Sequence, residues 1–323
     1  MKPMKKTMFI SIVPVLLAVS VAPASAETFN ASAIKLENIV GRVIITTGNT
    51  SNIEVNIDPG ARIVDVPPTR VVNGVLRIGS SKEIETRKCN VKGSRSANQY
   101  GEHYQVRIKL PGGKLRPLSD YPTIRVSVPT GTDLTLAGGT VFGTAGDMGE
   151  VDLLVDGCGK FIVGDVADNL KARINGSGDI VAGTVGGALQ SLINGSGDII
   201  IGAVLGDASL RINGSGDIEV DRVRSVVAKI NGSGDIEVGS VSGKVETSVN
   251  GSGDIEIAGG TAAPFVASIH GSGDIAFGGH ANGVRVYIAG SGDIVVNSFE
   301  GDLDTDGHRI EVNIDGGRLH VEG

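Results

Sequence analysis

From residue 170 onward the chain alternates apolar and polar residues in short bursts separated by glycine. In the stretch 170–189, Leu170, Ala172 and Ile174 alternate with Lys171 and Arg173. After a Gly-Ser-Gly-Asp step, Ile180 and Ala182 alternate with Val181. A period of two is the mark of a strand with one buried face. The glycines between two such runs supply the positive φ that a tight turn needs. Successive stretches line up in columns. Leu170, Leu189, Ala208, Val226, Val245, Phe265 and Val284 form one, and Ile174, Ile193, Ile212, Ile230, Val249, Ile269 and Ile288 a second. Ile180, Ile199, Ile218, Ile236, Ile255, Ile275 and Ile294 form a third, and Ala182, Ile201, Val220, Val238, Ile257, Phe277 and Val296 a fourth. These columns are the expected core. Lys171, Arg173, Arg211 and Lys229 fall on the outward phase.

The turn between the runs is nearly invariant. Gly-Ser-Gly-Asp occurs at 176–179, 195–198, 214–217, 232–235, 251–254, 271–274 and 290–293, each time followed by Ile. Counted from the residue before each copy (Asn175, Asn194, Asn213, Asn231, Asn250, His270 and Ala289), the spacings are 19, 19, 18, 19, 20 and 19. Degenerate copies at 137–142 and 156–161 carry the register further back. A near-constant period of this size specifies a solenoid, in which a unit buries its apolar face only when the next stacks on it. The expected architecture is all-β: a parallel β-helix of about 19-residue coils over 134–299, about nine coils and roughly 40 Å long at about 4.8 Å per coil. A terminal cap is expected at 300–323, where the period lapses. Before the repeat, 27–133 reads as irregular strands, including 106–111 and 124–129, with a long polar loop at 80–103 that carries Lys82, Arg87, Lys88, Lys92 and Arg95.

Composition fits narrow stacked coils. Gly accounts for 49 of 323 residues, Trp is absent, and there are four Tyr and seven Phe, so the core is built from Ile, Val, Leu and Ala, which suit a pleated surface. Residues 1–26 read as a signal peptide: Lys2, Lys5 and Lys6, an apolar run from Met8 to Val21, and Ala24-Ser25-Ala26 before Glu27. Export to the periplasm, the cell surface or the medium is expected. No later apolar stretch is long enough for a bilayer, so no membrane insertion is expected. Removing the leader's three lysines takes the formal charge from −7 to −10. A balance this acidic argues against nucleic acid and anionic membranes as partners, both of which need a basic footprint.

The run Ile124-Arg-Val-Ser-Val-Pro-Thr-Gly-Thr-Asp-Leu-Thr-Leu, followed by the repeated Asn-Gly-Ser-Gly-Asp-Ile, resembles the autotransporter adhesin head domain family, also called the GIN domain. The likeness extends over about 29–296 and is strongest from Ile124. It implies a right-handed β-helix of the pectin-lyase type, a trimeric assembly, and adhesion to a protein or glycan ligand. The 80–103 loop looks like an insertion relative to that pattern.

Three features carry candidate chemistry. The first is the Asp column of the turns: Asp179, Asp198, Asp217, Asp235, Asp254, Asp274 and Asp293. Stacked in register, neighbouring carboxylates would lie about 5 Å apart and repel by roughly 1 kcal/mol in water, which Ca²⁺ could relieve. The favoured reading is structural, with each Asp accepting backbone hydrogen bonds to close the turn; no metal or cofactor is expected. The second is the Asn column (Asn175, Asn194, Asn213, Asn231, Asn250), expected to form an amide ladder, with a stripe for sugar hydroxyls as the alternative. The third is the cysteine pair. Cys89 in the loop and Cys158 in a degenerate turn are the only cysteines of an exported chain, and a disulfide between them is expected. The five histidines (His103, His270, His280, His308, His320) are scattered, and no isolated acid pair stands out. The chain therefore reads as a structural or adhesive module rather than an enzyme. A polysaccharide-active enzyme and an envelope protein without adhesive role are the competing readings.

Overall fold

The structure, a computed structural model, describes residues 26–80, 82–92, 105–305, 311–315 and 318–322, with the side chains of Lys92 and 311–315 excepted. It is a β-solenoid, with about nine coils from Asp133 onward. The N-terminal part contains β1 (Glu27–Phe29), β2 (Ala33–Gly48), β3 (Ile53–Asp58), β4 (Thr69–Val72), β5 (Val75–Gly79), β6 (Lys88–Lys92), β7 (Gln105–Lys109), β8 (Arg116–Pro117), β9 (Thr123–Pro129) and β10 (Asp133–Ala145). From there each coil contributes one strand to each of two parallel sheets.

The first sheet stacks Val151–Gly157, Leu170–Gly176, Leu189–Gly195, Ala208–Gly214, Val226–Gly232, Val245–Gly251 and Phe265–Gly271 without a register slip. The second stacks Lys160–Val163, Asp179–Ala182, Ile199–Ala203, Ile218–Val223, Ile236–Val241 and Ile255–Ile257. A third corner is held by single parallel bridges, Met148 to Val166, Val166 to Val185 and Val185 to Val204. The four columns read from the alternation point inward and are buried, with Leu170, Ile174, Ile180 and Ala182 at 2 % exposure or less. So does the intervening position (Ala172, Leu210, Ala228). One core column escapes the alternation: Met148, Val166, Val185, Val204, Val223 and Val241 fill the third corner and are also buried. A one-residue bridge between glycine-rich turns has no period of its own to betray it.

The unequal repeat lengths are absorbed at this third corner. Val223 reaches Val226 through Arg224 and Ser225, whereas Val204 reaches Ala208 through Leu205, Gly206 and Asp207. The first sheet and the Gly-Ser-Gly turn thus keep their register while the opposite corner varies.

The solenoid reaches further back than the recognisable repeat. β2 lies parallel to β10 over nearly its whole length, Ile34 against Leu134 and Ile45 against Ala145, and is itself a coil. β5 pairs with the first half of β2 and β9 with the second half. Together they form one more coil, split at its turn, and the segment 80–122 leaves through that split. Within it, β6, β7 and β8 make a small antiparallel sheet. The polar stretch 80–103 is therefore not loop throughout, since Lys88–Lys92 is a strand, and 93–103 lies outside the described residues. Val106, Ile108, Leu118 and Tyr121 close over Val40 and Phe142, apolar residues at the turn edge of the first coils, as a second core. The Tyr121 hydroxyl donates to the Ile108 carbonyl at 3.0 Å, and burial raises its pKa above the ordinary 10.

Both ends are closed by antiparallel strands. β4 covers β5, β3 covers β9, and β1 adds to β3. At the far end Arg318–Glu322 runs against Asp293–Asp304 and is itself paired with Glu311–Asp315. Such caps occupy strand edges that would otherwise template pairing with another chain.

Candidate binding surfaces

The Gly-Ser-Gly-Asp turns stack into a ridge where backbone meets backbone. The Ser215 N–H donates to the Gly195 carbonyl at 2.9 Å and the Ser233 N–H to the Gly214 carbonyl at 2.9 Å. A Cβ built on Gly216 would stand 2.0 Å from the carbonyl oxygen of Gly197. The central Ser of each turn points to water.

The Asp column does one repeated task. The N–H of Asp235 donates to Asp217 Oδ1 at 3.0 Å, that of Asp254 to Asp235 Oδ1 at 2.9 Å, that of Asp274 to Asp254 Oδ1 at 2.9 Å and that of Asp293 to Asp274 Oδ1 at 2.9 Å. Asp198 receives Asp217 N–H more loosely, at 3.4 Å. At the start of the column, Asp179 N–H donates to the Gly159 carbonyl instead, and its carboxylate lies 3.6 Å from Lys160 Nζ. From Asp198 to Asp274 each carboxylate thus satisfies a donor that the sheet ladder leaves over as the chain turns. Replacing Asp235 by Ala is expected to lower stability by about 1–2 kcal/mol, because the Asp254 N–H loses its acceptor. Asp235→Asn keeps an oxygen at that place and should stay within about 0.5 kcal/mol of the parent. Urea unfolding checks both, and equal losses would show that the charge rather than the acceptor matters. Among the described residues no group of three His, Cys, Asp or Glu side chains is placed to share an ion.

The amide column forms a chain of side-chain bonds. Asn175 Nδ2 donates to Asp156 Oδ1 at 3.1 Å, Asn194 to Asn175 at 3.0 Å, Asn213 to Asn194 at 2.8 Å and Asn231 to Asn213 at 3.0 Å. Asn250 follows in the same register. Cys89, on β6, is joined to Cys158 in the degenerate turn, with Cα atoms 6.2 Å apart across a sequence separation of 69. The strap 80–122 is thereby tied to the turn ridge.

The family model described as "Putative auto-transporter adhesin, head GIN domain" matches residues 32–241, from the start of the β2 coil onward. The chain belongs to this family. No curated protein matches it. Among solved structures, similar ones include one described as a putative adhesin from Parabacteroides distasonis ATCC 8503, with 15% identity over 87% of this chain and 96% of the other at a TM-score of 0.42. Another from the same organism is described as a putative lipid binding protein, with 15% identity over 87% and 97% and a TM-score of 0.37. A putative adhesin from Bacteroides fragilis NCTC 9343 shows 14% identity over 84% and 95% with a TM-score of 0.34.

The outward faces of the two sheets differ in their balance of charge. Beside the Asp column, the second sheet stacks Glu219 on Glu237 and Glu237 on Glu256, so two columns of acids run side by side. The first sheet presents Lys171, Arg173, Arg211 and Lys229 in its middle coils, where Arg211 and Lys229 are direct partners. Arg173 pairs with Asp152, and Lys229 with Glu246. At the N-terminal end of the same sheet, Lys35, Arg77 and Arg70 stand in one row and converge on a single carboxylate, Glu37, at 3.1, 3.1 and 3.3 Å. The acidic balance read from composition belongs to the molecule as a whole and not to this face.

Among the described residues the histidines do not converge. His270 stacks at 5.1 Å on Tyr287, His280 contacts Ser298 at 3.0 Å, and His320 lies 3.7 Å from both Asp293 and Glu322 at the C-terminal cap; His103 and His308 lie outside the described residues. A cleft of about 240 Å³ opens beside the split coil, walled by Val64, Pro67, Pro68, Ile84 and Pro122 with Asp65 and Lys82 among its lining. It is smaller than the clefts that usually enclose a ligand.

Proposed function

We propose that the protein is an exported adhesion module without catalytic activity, presenting rigid sheet faces and a strapped N-terminal flap to a partner on a cell surface or in a matrix. The observation that carries this reading is the use of the repeated polar side chains. The Asp and Asn columns, which hold the most regular chemistry in the chain, bond from one coil to the next along the ridge. What is left for a partner is broad, flat surface on a stiff scaffold, which is how membership of an adhesin-described family would be put to use. The test is protease accessibility of the mature protein on intact cells against lysed cells. Digestion on intact cells is expected. Protection until the envelope is opened would assign it to the periplasm and remove the adhesive role. Release of reducing ends from a polysaccharide panel would replace the module with an enzyme.

A further inference from the structure

We propose that the outward face of the first sheet binds an anionic polysaccharide laid along the solenoid axis. The inference rests on the reading of the protein as a non-catalytic binding module and names its ligand class. The solenoid biases its charges: Glu219, Glu237 and Glu256 stack on the second sheet, while on the first Lys171, Arg173, Arg211 and Lys229 outnumber the acids Asp152 and Glu246. Lys171 and Arg211 are exposed and make no ion pair among the described residues. At the N-terminal end three cations share one carboxylate, which leaves that row net positive. Because coils repeat at about 4.8 Å, these cations form an array that follows one direction, suited to a linear polyanion rather than a single small anion.

The groups between the cations specify a glycan. Gln190 and Ser209 follow Lys171 in its own column, and Ser248 follows Lys229. The Asn ladder borders the sheet two residues away from Arg173 and Arg211. Amides and hydroxyls interleaved with cations are the complement of a polymer that carries hydroxyls and carboxylates or sulfates. A single-stranded nucleic acid would need aromatic platforms for its bases, and the middle coils of this face carry none. A bilayer surface would need exposed apolar anchors, whereas Leu192 and Val227 on this face are half-buried.

The test uses the mature full-length protein on affinity columns of polygalacturonate and of dextran sulfate, with neutral dextran as control. Retention on both polyanions is expected at low salt, falling as salt rises because the contacts are exposed ion pairs, with none on neutral dextran. Preference between the two polymers assigns carboxylate or sulfate as the group bound. The double variant K171E/R211E should lose about tenfold or more in affinity, the scale of a lost charge pair or two at an exposed contact. Its melting temperature should match the parent, since both side chains are in solvent. Glu237→Gln on the opposite face should bind like the parent. Absence of retention on either polyanion, or undiminished binding by K171E/R211E, would overturn the proposal. So would tighter binding to phosphatidylglycerol vesicles that the same double variant abolishes, which would reassign the face to a membrane surface. Shortening of the polymer during the assay would instead overturn the non-catalytic reading while leaving the binding face in place. Attachment to cells that persists without polyanion binding would sink this proposal and spare the adhesive one.

Discussion

Gly216→Ala is expected to destabilise the solenoid by about 3 kcal/mol or more, while Ser215→Ala beside it stays within about 0.5 kcal/mol of the parent. The two positions are neighbours in one turn and differ only in what they face. A methyl group on Gly216 would meet the carbonyl oxygen of Gly197 at 2.0 Å and its carbonyl carbon at 3.0 Å. Those are main-chain atoms held by the coil below, so relief requires moving a coil rather than a side chain. Gly216 does not sit at positive φ, which makes it a steric test free of backbone strain. Gly214, at φ +147 and 2.0 Å from the carbonyl oxygen of Gly195, combines both penalties and should do at least as much damage. Ser215 points to water. Urea denaturation of the three single variants checks the pattern, and a Gly216→Ala protein as stable as Ser215→Ala would mean that the coils stack more loosely than described.

Removing the disulfide by Cys89→Ser with Cys158→Ser is expected to cost about 4 kcal/mol, from the chain entropy released over a 69-residue separation. The loss should be local. In a solenoid each coil contacts only its neighbours, so the strap 80–122 and the first coils lose protection while the distant coils keep theirs. The apolar contacts of Val106, Ile108 and Tyr121 with Val40 and Phe142 remain and should keep the strap from detaching completely. Limited proteolysis is expected to cut the double variant within 80–122 faster than the parent, leaving a resistant repeat fragment. Titration of the denatured, unreduced parent with Ellman's reagent should find no thiol. Two free thiols would remove the disulfide and this prediction with it.

The charge sorting changes what net charge can be used to argue. At −7 for the whole chain, polyanions look like poor partners. Yet at a separation beyond the Debye length of about 8 Å at physiological salt, exposed charges are largely screened from one another. A partner on the first sheet therefore responds to Lys171, Arg211 and their neighbours more than to Glu219, Glu237 and Glu256 on the second. The same screening places the N-terminal cluster of Lys35, Arg70 and Arg77 in a separate local environment from the middle coils.

The repeat and most of the core were legible in the residues themselves. Alternation from Leu170 to Ile174 sets which side chains are buried, and the Gly-Ser-Gly step forces a reversal that only glycine allows at such close backbone approach. Both are local properties, repeated until neighbouring coils have one register in which to stack. The Asp and Asn columns were legible as columns for the same reason, whereas the N–H to Oδ1 bonds from one Asp to the next are contacts between coils. Other features depended on contacts between segments far apart in sequence. The Val185 column is buried because three sides of a coil close on it. β5 and β9 make one coil only because β2 lies beside both. Val40 and Phe142 are apolar at an outer edge because a strap some tens of residues away covers them. The basic face likewise exists only after closure, when residues spread from Lys35 to Lys229 come to lie on one sheet. Sequence by itself determined the coil, because a coil is made of near neighbours obeying a short period. Which surfaces those coils present together was decided by tertiary structure, since long-range stacking and closure alone place distant side chains on a common face.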